Sequence, residues 1–76
     1  MRNVGVIGAG YWSVNHLQAW QRINGARISA LCDKNAEKLR EKGRLFGLAE
    51  ERLFTSADAM LAQPDIHIVD IVTGPE

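Results

Sequence analysis

Val4-Gly-Val-Ile-Gly8-Ala-Gly10-Tyr-Trp-Ser13, answered further along by Ile28-Ser-Ala-Leu-Cys-Asp33, is the stretch whose reading decides the fold. A short β-branched run breaks into a glycine turn, apolar residues return at helical spacing, and a second apolar run ends in an acid. Gly8 suits a tight turn, and Gly10 removes the Cβ that would hold a backbone away from a bulky anion. Ala9 lies between them. The amides of Tyr11 and Trp12, opening the following helix, would then point at the phosphates of a bound anion, with the positive end of the helix dipole behind them. Strand, phosphate loop, helix, strand and acid form the order of parts that cradles a dinucleotide. Ser13 stands where a third Gly or Ala is usual. It is one hydroxyl larger than Ala, so helix–strand packing survives, and the hydroxyl can donate to the preceding turn or to a phosphate oxygen.

Asp33 has two readings. It either caps the next helix or accepts hydrogen bonds from both hydroxyls of an adenosine ribose. In the second reading a 2′-phosphate would meet the carboxylate at ~4 Å, a repulsion of ~1–4 kcal/mol at effective dielectrics of 80 to 20. That favours NAD over NADP, a preference softened by the adjacent Lys34.

Outward from this core, residues 3–7 read as the first strand. Val14, Leu17, Trp20 and Ile23 share one drifting helix face, which Asn24-Gly25 closes. Residues 27–32 read as the second strand. Asn35 is an expected N-cap for a second helix with Ala36, Leu39, Gly43 and Phe46 on one face. Gly43 costs ~1 kcal/mol in helix propensity, which implies either close helix–sheet approach or early fraying. Residues 52–54 read as a very short third strand. Thr55-Ser-Ala-Asp58 resembles a capping box for a third helix with Ala57, Met60 and Leu61 inward. Pro64 stops it. The near-continuous aliphatics of residues 66–72 predict a fourth strand buried on both faces. The expected class is α/β, a doubly wound parallel sheet, here partial with four strands and three helices in strand order 3-2-1-4.

Composition narrows the function classes. The chain has 76 residues, 46% hydrophobic and 24% charged, so one small globular domain is expected rather than disorder. Nine basic residues cancel nine acidic ones, leaving no electrostatic footprint for nucleic acid or acidic membrane. No apolar run approaches the ~20 residues of a membrane span. The single cysteine, Cys32, makes no internal disulfide, which fits a reducing compartment such as the cytoplasm. His16 and His67 stand far apart with no Cys/His cluster, so no metal site is expected. Cys32 reads as a small core residue rather than a nucleophile, His16 as a packing or hydrogen-bonding group rather than a substrate contact, and His67 as structural. Asp70, an acid in an aliphatic strand, must find donors, because burying it unpaired costs several kcal/mol.

The same residues resemble a known family. Gly8-Ala-Gly10-Tyr-Trp-Ser13-Val-Asn-His16 is similar to the G-x-G-x-x-G-x-x-H opening of the glucose–fructose oxidoreductase, inositol dehydrogenase and rhizopine catabolism oxidoreductases. Cys32-Asp33 resembles their ribose-binding acid, and Gln63-Pro-Asp-Ile66 with Val69-Asp-Ile-Val-Thr73-Gly-Pro75 resembles their fourth strand and its flanking turns. Ser13 and Gly74 depart from the pattern, a Gly and a Pro being usual there. The resemblance implies an NAD-dependent enzyme moving hydride between nicotinamide and a sugar, cyclitol or polyol alcohol, with Thr73 and Pro75 lining the nicotinamide-ribose side. The family's Glu-Lys-Pro segment and downstream acid/base histidine have no counterpart in these residues.

Residues 1–76 therefore read as the N-terminal part of a dinucleotide-binding domain with its substrate domain absent, and the chain alone is expected to be inactive. A complete monomer would leave the fourth strand as a bare apolar edge, so a homo-oligomer through that edge is also expected. Two other readings stay open: a non-catalytic nucleotide-binding or sensing module, and a domain for FAD or another adenylated cofactor.

Overall fold

The computed structural model describes residues 1–8 and 13–72; of Ser13 only the backbone is described. The elements run β1 (Arg2–Ile7), α1 (Ser13–Gln21), β2 (Ala26–Cys32), α2 (Ala36–Leu45), a 3-10 turn (Glu50–Arg52), β3 (Leu53–Phe54), α3 (Ala57–Leu61) and β4 (Ile68–Ile71). The four strands form one parallel sheet in the order β3-β2-β1-β4. Successive strands thus step outward from β1 to β3, and the chain then crosses to the other side of β1. That reversal is the topological switch point, where open α/β sheets open a crevice beyond the C-terminal ends of their strands.

Two apolar layers flank the sheet. On one face Val4, Val6 and Leu31 pack with Leu17 of α1 and Leu39 of α2. On the other, Ala30 and Cys32 pack against Met60 of α3. Both faces are wound, as the alternation of apolar runs and helical patterns predicts. Close approach is built in at two glycines. A Cβ at Gly5 would meet Met60 Cε at 2.9 Å, and one at Gly43 would meet both Leu53 methyls at 2.8 Å. Gly43 therefore serves close packing of α2 on β3 and does not fray its helix.

A bulge in β2 is the feature that no periodicity announces. Val4 pairs with Ile28 but Gly5 pairs with Ala30, so Ser29 is the extra residue. The bulge resets the alternation of faces. Ile28 and Leu31, three apart, consequently pack in the same layer. Arg52 Nε donates to the Ser29 carbonyl at 2.6 Å, while the buried Ser29 hydroxyl has no partner among the described residues.

Several expectations need correction. Ile23 is 47% exposed, because α1 ends at Gln21 and Ile23 falls in the turn into β2. Ala36 is exposed at the start of α2. The cap of α3 is Ser56, whose hydroxyl accepts from the Ala59 amide, and not Thr55. Leu61 is 51% exposed because α3 lasts only five residues and packs over β1, β2 and β3. The fourth strand is Ile68–Ile71, shorter than 66–72, and it alternates: Ile68 and Asp70 are half-buried, Val69 and Ile71 exposed. The third strand likewise loses Arg52 to the 3-10 turn.

Candidate functional site

All strands being parallel, their C-terminal ends share one edge of the sheet, and of the expected site residues Gly8, Asp33 and the adjacent Lys34 lie there. Gly8 follows β1. Its amide donates to the Cys32 carbonyl at 2.7 Å, tying the end of β1 to the end of β2. Its φ of +110° lies in the left-handed region, and a Cβ built there would sit 2.9 Å from the Val72 carbonyl oxygen. Any larger residue would be strained and would press on the main chain leaving β4. The Val72 amide in turn donates to the Ile7 carbonyl at 2.8 Å. Gly8 thus brings the ends of β1 and β4 into contact at the switch point.

Asp33 follows β2. Its amide donates to the Phe54 carbonyl at 3.0 Å, and its Oδ1 accepts from the Asn35 amide at 2.7 Å. The cap of α2 is Asn35, whose Oδ1 accepts from the Glu37 and Lys38 amides at 3.0 and 3.1 Å. The capping alternative for Asp33 is therefore replaced by a local one: the acid orients the residue that caps. Asp33 stays half-buried at the sheet edge beside exposed Lys34. The Cys32 thiol is buried, and burial first, then the Asp33 charge, pushes its pKa up. A thiol held protonated in this way is a core group and not a nucleophile.

A second acid lies deeper. Asp70 points from β4 toward α1, where its Oδ2 accepts from His16 Nδ1 at 2.8 Å and from Trp20 Nε1 at 2.9 Å. Burial alone would raise the Asp70 carboxyl; the hydrogen bonds from His16 and Trp20 and the His16 charge outweigh it and hold it below its ordinary value. An ionised carboxylate only accepts, so the shared proton sits on His16 Nδ1. The need for donors to Asp70 was legible in the sequence; their identity was not, although His16 and Trp20 stand four apart on one helix face. His67, by contrast, accepts the Asn3 amide on Nδ1 at 2.9 Å and pins the loop before β4.

Ala9, Gly10, Tyr11, Trp12, the Ser13 side chain, Thr73 and Pro75, all expected at the site, lie outside the described residues. A separate cavity of about 360 Å³ lies away from the crevice, lined by Arg27, Ile28, Ser29, Leu48, Arg52 and Asp65. Its two cations are already engaged, Arg27 with the Asn3 side chain and Arg52 with the Asp65 carboxylate. No helix of the described residues is long and apolar enough to cross a membrane.

Residues 2–76 match the family model described as an oxidoreductase family with an NAD-binding Rossmann fold. A D-apiose dehydrogenase of Paraburkholderia graminis is 50% identical over 68 residues, covering 90% of this chain and 18% of that protein. A D-apiose dehydrogenase of Rhizobium rhizogenes is 38% identical over 68 residues, again 90% of this chain and 19% of the relative. The crystal structure of an oxidoreductase from Agrobacterium radiobacter in complex with NAD+, L-tartaric acid and magnesium superimposes with a TM-score of 0.87 at 36% identity. That match spans 96% of this chain and 21% of the other. The chain thus spans about a fifth of the length of the proteins it resembles.

Proposed function

The chain belongs to the Gfo/Idh/MocA oxidoreductase family and carries its NAD-binding Rossmann fold, and from that premise we infer that it holds NAD(H) for hydride exchange with a sugar, cyclitol or related polyol alcohol. The observation that carries the reading is the shared edge: left-handed Gly8 against Val72 at the switch point, with Asp33 one strand away. These residues fit the cofactor: left-handed Gly8 lets the chain turn at the end of β1 with the Val72 main chain packed against it, as a tight phosphate-loop turn requires. The D-apiose dehydrogenases among its relatives support a sugar substrate.

In this reading Gly8 makes the tight turn, Ala9 lies within the loop, Gly10 lets the backbone approach the pyrophosphate, the amides of Tyr11 and Trp12 donate to it, and the Ser13 hydroxyl stands beside them. Asp33 accepts from the adenosine ribose, its carboxylate oriented by the Asn35 amide, and Lys34 stands beside it. Its negative charge repels a 2′-phosphate, so NAD is preferred to NADP. Thr73 and Pro75 border the nicotinamide half. Bound NAD supplies a hydride acceptor at nicotinamide C4. No residue of these 76 is assigned proton transfer, so the chain alone turns over no polyol. Exposed Val69 and Ile71 on the outer strand support association through the β4 edge.

Titration with NADH tests the reading. Tryptophan emission should be quenched saturably, and Trp12→Phe should remove most of that response while the fold persists. A wild-type chain showing no saturable quenching up to millimolar NADH would overturn the cofactor assignment.

A further inference from the structure

α1 is the helix whose start faces the proposed pyrophosphate site, yet apolar packing constrains its orientation poorly. Leu17 is its one fully buried side chain among those described, and Val14 and Trp20 are half-buried. Apolar contact is non-directional and fixes little about a helix's roll around its own axis. Hydrogen bonds are directional, weakening steeply when bent. Among the described residues, two hydrogen bonds leave α1 for the sheet, from His16 and Trp20, one helical turn apart, and they converge on a single oxygen of Asp70. Asp70 sits in β4 opposite Val6 of β1, with its side chain 19% exposed. Its flanking residues Val69 and Ile71 point to the other face.

We propose that Asp70 is a positioning residue for the dinucleotide: by holding His16 and Trp20 together it sets the roll of α1, and so the direction in which the first amides of that helix meet the pyrophosphate. The inference rests on the cofactor reading above. Two points on α1, one turn apart and tied to one carboxylate oxygen, define the roll, as one buried leucine does not. Because His16 lies in the first turn of α1, a loss of that contact is felt at the helix start before it is felt at Gln21. A purely structural Asp70 would lower the stability of the chain and leave the affinity of each folded molecule unchanged.

The test is calorimetric titration of NADH into the 76-residue chain and its variants, with urea unfolding measured in parallel. Asp70→Ala should weaken NADH binding about tenfold or more, and Asp70→Asn, which keeps one acceptor, should recover part of that loss. His16→Ala should weaken binding several-fold, and His16→Asn, which restores a donor near the Nδ1 position, should lie between it and wild type. Asp70→Asn also keeps the test informative should Asp70→Ala fail to fold. Wild-type and Asp70→Asn affinities that agree within twofold, with lowered urea midpoints, would overturn the positioning role and leave the cofactor reading intact. No binding by wild type would overturn the cofactor reading and this inference with it.

Discussion

The central strand β2 and the edge strand β4 each bring an aspartate, Asp33 just past one and Asp70 inside the other, and the two acids are held in opposite ways. Asp33, just past β2, takes its described partners from neighbouring main chain: its amide donates to Phe54 and its carboxylate accepts from Asn35. Asp70, inside β4, takes side-chain donors from a helix fifty-odd residues earlier in the chain. The first arrangement leaves a carboxylate at the rim of the sheet, half-buried and locally oriented. The second sinks a carboxylate between a strand and a helix. One acid accepts from a main-chain amide two residues along the chain, the other from two side chains of a distant helix.

If that contrast is right, the largest effect belongs to the hinge between the two regions. Gly8→Ala should destabilise the chain by about 2–6 kcal/mol, since left-handed strain adds to overpacking against the Val72 carbonyl. Chemical denaturation measures it, and a change below half a kcal/mol would mean that Gly8 does not clamp β1 to β4. Next comes Asp70→Ala, which leaves two half-buried donors without their acceptor; about 1–3 kcal/mol should be lost, read in the same way. Asp33→Ala should cost less stability than that, because the acid sits at the rim and the cap of α2 is Asn35 itself.

A smaller effect distinguishes the acids by pH. The Asp70 carboxyl is held below its ordinary value in the folded chain. Its stabilisation is therefore fully present above the unfolded value of about 4 and fades as pH falls through the lowered folded value. The urea midpoints of wild type and Asp70→Asn should converge as pH is lowered from 5 toward 2. A constant gap across that range would show that the charge on Asp70 contributes nothing to folding.

Much of this was legible in the sequence because local chemistry and global fold agree. The glycine turn after residues 4–7, the acid closing the second apolar run and Asn35 as a cap all follow from residue types at fixed offsets, and the order β3-β2-β1-β4 follows from alternating patterns. The bulge at Ser29 was not legible. Ile28, Ala30 and Leu31 are apolar whichever face they take, so a parity slip leaves no trace in the pattern. Residues 66–72 misled for a related reason: aliphatics report a preference for burial, and here α3 is too short to cover Val69 and Ile71. Thr55 and Ser56 are adjacent hydroxyls, and only backbone geometry tells which one caps.

The central claim is that the sheet edge at Gly8 and Asp33 holds NAD through its ribose as well as its pyrophosphate. Fluorescence titration of wild type and Asp33→Ala with NADH and with NADPH, at fixed ionic strength, tests it most directly. Wild type should prefer NADH, and Asp33→Ala should bind NADH about tenfold more weakly, a loss of ~1.4 kcal/mol, with the gap to NADPH narrowed. Unchanged affinity for both cofactors in Asp33→Ala would contradict the account, reducing Asp33 to a residue that orients the cap of α2.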